Sequence, residues 1–340
     1  MPAFEMSLAE LREYRGSSPL PADFDAYWDR ALAELDALPA AETYQLEPAD
    51  FTAPGLSCQH LWFTGIGGAR LHCKLVRPAT DTGDSTVVAN DGAGETGVKA
   101  SGMPGVALFH GYTHHSGDWF DLLPHAYAGR VVLSLDVRGQ GGLSTDPANA
   151  AGPTLFGHIV RGVADPDPDK LFYRSVYLDA VQATRILMSL PGVDSDRIGT
   201  SGNSQGGALA LVTAALNPRI ARCAPIHPFL ADFRRIVELD FDQGAYEGFR
   251  LFFRKYDPLH EHEDEFFERL GYIDVQNFAA KVKADILWQT GLMDTLCAPS
   301  TQFAIYNKLQ CPKQMLLSRD YGHEKILYAS DRIFSFFNDL

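Results

Sequence analysis

Gly202-Asn203-Ser204-Gln205-Gly206 sets a serine between two glycines, directly after a strand-like run and directly before a helical one, Gly207-Ala208-Leu209-Ala210-Leu211. The G-x-S-x-G spelling alone is a weak signal. Its setting is much stronger. A sharp strand-to-helix turn presents the serine hydroxyl, and it needs glycines where a β-carbon would collide with neighbouring backbone. The bland alternative is a buried glycine-serine turn. A serine hydroxyl is a poor nucleophile near neutral pH, so the chemistry requires a histidine within hydrogen-bond reach and an acid to orient that histidine. Gly291-Leu292-Met293-Asp294-Thr295 and Tyr321-Gly322-His323-Glu324 each follow a short apolar run and supply Asp294 and His323. Two other acids compete: Asp136 precedes the serine, and Asp320 reads as a solvated turn residue.

Attack by such a serine on a carbonyl develops negative charge on oxygen, and each N–H aimed at that oxygen is worth a few kcal/mol. The Gln205 N–H follows the serine at a helix start. The Tyr112 N–H lies in Phe109-His110-Gly111-Tyr112, just beyond an apolar strand, although His110-Gly111 also reads as an ordinary turn. The cluster His110, His114 and His115 lacks the acidic partner and spacing of a metal site, so no metal and no cofactor is expected. Arg138-Gly139-Gln140-Gly141 reads as a loop fixed by its own side-chain hydrogen bonds. The Glu261–Glu265 run reads as a solvated face, and Trp119 fits either core packing or a pocket wall.

Positioning these residues requires a sheet. From Val106 onward, short apolar runs at 106–109, 131–136, 197–201, 220–226, 285–290 and 314–317 alternate with helical patterns at 171–190, 206–216, 300–309 and 326–338. That alternation predicts an α/β fold with a mostly parallel central sheet flanked by helices. The order Ser204, Asp294, His323, each at a strand's carboxyl end, is that of the α/β-hydrolase fold. Residues 43–78 read as antiparallel opening strands. Phe24, Tyr27, Trp28, Ala31, Leu32 and Leu35 fall at helical spacing, giving an N-terminal helical extension over 1–40. The segment 79–105, rich in Gly, Asp, Thr and Ser, is expected to be a mobile loop, and 229–275 a helical, cap-like insertion beside the site. A single catalytic domain over 1–340 is expected.

The chain has 340 residues, 46% of them hydrophobic and 21% charged, with a net charge of −14, which disfavours nucleic acid and anionic membranes as partners. No run of about 18 apolar residues offers a membrane span. Cys58, Cys73, Cys223, Cys297 and Cys311 form no CxxC pair, and the amino end lacks a secretory pattern, so a cytoplasmic protein with free thiols is expected.

The motifs together resemble carbohydrate esterase family seven, the acetyl xylan esterases and cephalosporin C deacetylases. The resemblance runs from Phe24-Asp25-Ala26-Tyr27-Trp28 through His110-Gly111-Tyr112, Arg138-Gly139-Gln140, Gly202–Gly207 and Pro228-Phe229-Leu230 to Gly291–Asp294 and Tyr321–Glu324. It implies Ser204, Asp294 and His323 as a catalytic triad, Tyr112 and Gln205 as oxyanion donors, and Pro228 beside the acyl pocket. It also implies a homo-oligomer, a hexamer or dimer, acting on small acetylated sugars or cephalosporins. The rival readings are a general short- to medium-chain carboxylesterase, a peptidase on the same scaffold, and a non-catalytic binding protein.

Overall fold

The computed structural model describes residues 5–38, 43–79, 102–147, 157–241 and 243–340. Among them nine strands form one sheet. In chain order they are β1 (Gln45–Pro48), β2 (Leu56–Thr64), β3 (Arg70–Pro78), β4 (Met103–Phe109), β5 (Val131–Leu135), β6 (Val193–Asn203), β7 (Arg222–Ile226), β8 (Asp285–Gly291) and β9 (Lys313–Ser318). They lie side by side as β1-β2-β3-β5-β4-β6-β7-β8-β9. β1, β2 and β3 are antiparallel, β3 meets β5 antiparallel, and every pair from β5 onward is parallel. This is the mostly parallel α/β-hydrolase sheet that the alternating runs imply.

The chain leaves β4 to one side for β5 and returns to the other side for β6. The carboxyl ends of β4 and β6 therefore form a crevice where the winding direction reverses, the usual ligand position in open α/β sheets.

Helices α1 (Leu8–Glu13) and α2 (Phe24–Asp36) precede the sheet; α3 (Trp119–Tyr127), α4 (Phe172–Ser189) and α5 (Gln205–Leu216) cross between its strands. Every residue of α5 is buried, from Gln205 to Leu216. A helix apolar all round has no solvent face, so α5 sits locked against β6, β7 and α4, and its first turn is a rigid platform. On α2, Phe24, Tyr27, Trp28, Ala31 and Leu35 are buried. Trp28 donates its indole N–H to the Tyr272 carbonyl at 2.9 Å, and Phe24 packs edge-on to Phe278.

Between β7 and β8 come α6 (Phe233–Glu238), α7 (Glu247–Tyr256) and α8 (Glu263–Gly271), whose Phe249, Phe253, Phe266 and Phe267 interlock as rings. Asp232 pins the amino-terminal segment to this helical insertion: its carboxylate accepts from the Ser17 and Ser18 N–H groups at 2.9 and 2.8 Å and from the Tyr14 hydroxyl at 2.8 Å. The chain closes with α9 (Pro299–Tyr306) and α10 (Ala329–Phe336).

Several boundaries depart from the sequence pattern. Of the loop expected over 79–105, residues 80–101 lie outside the described residues, and Met103 already opens β4, where it pairs with Val193 of a longer β6. The helix expected over 326–338 starts only at Ala329, because Tyr328 before it takes a left-handed backbone with φ 65°. No described helix is long and apolar enough to cross a membrane.

Candidate active site

Ser204 joins the end of β6 to the start of α5 with φ 58° and ψ −120°. This is a conformation L-residues rarely adopt, and it persists only where the surroundings impose it. The surroundings are backbone contacts. The Ser204 N–H donates to the Ile226 carbonyl at 2.9 Å, and the Ser204 carbonyl accepts from Ala208 and Phe229 N–H groups, both at 3.1 Å. A β-carbon on Gly206 would lie 2.0 Å from the Phe109 carbonyl oxygen, and one on Gly202 2.4 Å from the same atom, so β4 and the elbow approach too closely for any side chain there.

Asp294 and His323 come from loops after β8 and β9. Those loops are laced by the Met293 N–H donating to the Tyr321 carbonyl and the Leu292 N–H to the Ser318 carbonyl, both at 2.9 Å. A β-carbon on Gly291 would meet the Tyr321 oxygen at 2.2 Å, which explains the glycine in Gly291-Leu292-Met293-Asp294. The fully buried Asp294 carboxylate accepts through Oδ1 from the Leu296 and Cys297 N–H groups at 2.9 and 2.8 Å. Its Oδ2 lies 2.9 Å from His323 Nδ1. The His323 ring is thereby oriented with Nε2 turned away from the carboxylate, the arrangement a general base requires.

Ser204 Oγ makes no hydrogen bond to His323 among the described residues and contacts the buried Cys297 thiol instead, a thiol held well above its ordinary range by burial. Catalytic hydrogen bonds are commonly long before substrate arrives. Asp294, Cys297 and His323 also have the spacing of metal ligands. Their chemistry does not fit an ion, because both carboxylate oxygens already accept N–H donors and the thiol is held protonated.

The loop after β4 packs directly on the elbow. His110 fixes it. Its Nε2 accepts from the Val137 N–H at 3.0 Å, so Nδ1 carries the proton and donates to the Gly111 carbonyl at 2.7 Å. Burial lowers its basicity and favours this neutral form. The Tyr112 hydroxyl accepts from the His158 N–H at 2.7 Å, and its ring packs 5.8 Å from Phe229. Gln205, as the first residue of α5, has no partner for its N–H within the helix, since the residue four back, Ser201, lies in β6.

Comparison with known proteins gives a consistent picture. The acetyl xylan esterase (AXE1) family matches residues 1–340. The chain belongs to the acetyl xylan esterase family. Acetyl xylan esterase 1 of Thermoanaerobacterium sp. is 41% identical with a TM-score of 0.90, covering 98% of this chain and 99% of that one. The acetyl xylan esterase of Paenibacillus sp. R4 is 33% identical with a TM-score of 0.87 and the same coverages, 98% and 99%. The acetyl esterase Axe7A of Xylanibacter ruminicola is 28% identical over 302 residues, 88% of this chain, which spans only 62% of that relative's length. An acylaminoacyl peptidase of Pyrococcus horikoshii, at 14% identity and a TM-score of 0.55 over 84% of this chain and 40% of its own, shares the fold alone.

Within this family member, Gln140 joins the residue after Tyr112 to the side chain of Gln205, and so the two segments that carry the candidate N–H donors. Its Oε1 accepts from the Thr113 N–H at 2.8 Å and its Nε2 donates to Gln205 Oε1 at 2.8 Å, an atom that also accepts from the Tyr173 hydroxyl at 2.9 Å. Arg138, two residues earlier, is buried and anchored bidentately on Asp179 at 2.6 and 2.7 Å. Pro228 is buried with its Cα 3.2 Å from where a Gly207 β-carbon would lie, beside the first turn of α5.

Trp119 is not brought to these side chains. It opens α3 with its ring parallel to Phe51 at 6.3 Å and edge-on to His60 at 5.2 Å, against the antiparallel part of the sheet. His110 is buried whereas His114 and His115 are exposed, and His115 Nδ1 accepts from the Gly117 N–H.

Asp136 pairs with buried His72 at 2.6 Å and accepts from the Ser116 and Leu143 N–H groups at 2.7 and 2.9 Å. Burial raises its carboxyl, but the hydrogen bonds outweigh that and hold it well below the usual range. Its role is to hold loops. Asp320 is exposed. The residue that sequence reasoning passed over is His227, beside Pro228, whose Nδ1 lies 3.4 Å from Asp294 Oδ2.

Proposed function

We propose that the protein is a serine esterase that removes acetyl groups from small acetylated substrates, of the xylo-oligosaccharide or cephalosporin C type, through an acetyl-enzyme. The observation that carries this reading is the 2.9 Å contact of His323 Nδ1 with buried Asp294, at the same end of the sheet as the strained Ser204 elbow. Ser204 Oγ attacks the acetyl carbonyl while its proton passes to His323 Nε2. Asp294 holds the imidazolium, and the Tyr112 and Gln205 N–H groups stabilise the oxyanion. His323 then protonates the departing alcohol oxygen, leaving acetyl on Ser204. Water, deprotonated by His323, releases acetate, and the cycle needs no cofactor.

The fully buried first turn of α5 and the neighbouring Pro228 favour a short acyl group. Hydrolysis of p-nitrophenyl acetate, butyrate and octanoate tests this, alongside acetate release from acetylated xylo-oligosaccharide and cephalosporin C. The expected result is highest kcat/KM for acetyl esters; preference for octanoate would make the protein a general carboxylesterase.

Gln140→Leu removes the bridge between the two donor segments. Its expected effect is roughly a ten-fold lower kcat with KM little changed, below the roughly 10²- to 10³-fold cost of deleting a donor outright because both N–H groups remain, measured with p-nitrophenyl acetate.

A cytoplasmic setting is supported by the five free cysteines, three of them buried. The homo-oligomer, hexamer or dimer, is supported by family membership, and light scattering of the purified protein checks it.

A further inference from the structure

His227 follows β7 and is fully buried, with a left-handed backbone of φ 42°. Both of its ring nitrogens face acceptors. Nδ1 lies 3.4 Å from Asp294 Oδ2, and Nε2 lies 3.1 Å from the carbonyl oxygen of Glu324, the residue after His323. Nδ1 is also a buried polar atom without a hydrogen bond of standard geometry. A carboxylate offers about four acceptor positions. On Asp294, Leu296 and Cys297 fill those of Oδ1 and His323 takes one on Oδ2, so the remaining one faces His227.

We propose that His227 is a positioning residue for the acyl-transfer site, a second imidazole that steadies Asp294 and ties the His323 loop to the same anchor. The inference rests on the reading of Ser204, Asp294 and His323 as the catalytic triad. Asp294 and His323 sit on loops after different strands, and His227 touches the acid with one nitrogen and the backbone beside the base with the other. It therefore sets the separation on which general-base catalysis depends.

A neutral ring has one N–H; placed on Nδ1 it points at the charged carboxylate, the stronger of the two acceptors, and Nε2 then meets the Glu324 carbonyl at 3.1 Å as a packing contact without a proton. Burial holds the ring below the usual histidine range, against the opposing pull of Asp294. The charged and titratable groups facing it are Asp294 from the loop after β8, and His323 and Glu324 from the loop after β9. An N–H on Nδ1, 3.4 Å from Oδ2, draws off part of the negative charge that Asp294 presents to His323 once the two close to hydrogen-bond distance.

Two side-chain amides separate the two contacts. Asn carries its amide nitrogen near the place of Nδ1 and tolerates a left-handed backbone, whereas Gln carries it near the place of Nε2. His227→Gln is expected to lower kcat roughly ten-fold, the scale of a lost hydrogen bond to a charged group, with KM for p-nitrophenyl acetate unchanged. It is also expected to move the acidic limb of kcat/KM upward by about half a pH unit, because an unshared carboxylate favours the protonated base. His227→Asn should keep the limb in place and recover most of the lost kcat.

Wild-type kcat and limb in His227→Gln would overturn the inference. So would equal losses in both variants, with a lowered Tm and an unmoved limb, which would make the role merely structural. Ser204→Ala and His323→Ala are run in parallel: turnover retained in either removes the triad reading itself, whereas loss in both with an unaffected His227→Gln removes only this inference.

Discussion

Ser204→Ala is expected to reduce kcat for acetyl esters by about 10⁵- to 10⁶-fold, the range seen when the nucleophile of a serine hydrolase is removed. The fold should survive the change. The Ser204 side chain contributes no hydrogen bond to the backbone of the elbow, whose contacts run through its N–H and carbonyl to Ile226, Ala208 and Phe229. Alanine does lack glycine's freedom at φ 58°, but serine already bears the same β-carbon there. Tm is therefore expected to stay within about a degree of wild type or to rise slightly, as relief of active-site strain often does. Steady-state kinetics and calorimetry on the same preparation check both halves. A variant inactive because it is unfolded would not support the assignment.

Asp179→Ala is expected to give the largest loss of stability. Arg138 and Asp179 are each about 1% exposed and meet bidentately. Burial raises the Asp179 carboxyl, which the guanidinium offsets only in part. Removing the carboxylate leaves the guanidinium charge in the interior with Asp146, at 3.7 Å, and the Ile66 carbonyl as its partners among the described residues. Breaking one side of a buried ion pair costs about 3–5 kcal/mol, which for a domain of this size lowers Tm by roughly 4–7 °C. Because Arg138 precedes Gln140, the bridge from Thr113 to Gln205, kcat should fall together with Tm. Thermal unfolding measured beside p-nitrophenyl acetate kinetics separates this from Gln140→Leu, which should change kcat and leave Tm near wild type.

The sequence made much of the fold legible, for a physical reason. A strand buried on both faces reads as a nearly unbroken apolar run, and β5, all five of whose residues are buried, announces itself that way; α4 shows in the period of its apolar residues. The elbow was legible because its glycines are forced by approaches of 2.0 and 2.4 Å to Phe109, leaving a short pattern in consecutive residues. What stayed hidden is what only the folded chain brings together. His227 and Glu324 are 97 residues apart and meet at 3.1 Å, and no local pattern marks a histidine that faces a distant carbonyl. Asp136 could be set aside as the triad acid only by its order in the chain; its partner His72 lies on another strand. Trp119 shows the same limit from the other side. An aromatic residue just beyond the loop after β4 is consistent with a pocket wall, yet the helix it opens turns its ring toward Phe51. The apolar spacing continues backward through Tyr328 and so points to an earlier start of α10 than the structure has, because the left-handed backbone of Tyr328 stops the helix.

The central claim is that an acyl group passes through Ser204. The most direct test mixes the protein with p-nitrophenyl acetate, quenches it in acid within the first turnovers, and locates the added acetyl group by peptide mass spectrometry. The predicted result is one acetyl group on the peptide containing Ser204, formed in a burst with p-nitrophenol and absent in Ser204→Ala. Acetate release at the wild-type rate in Ser204→Ala, or acetyl found on another side chain with Ser204 unmodified, would contradict the account.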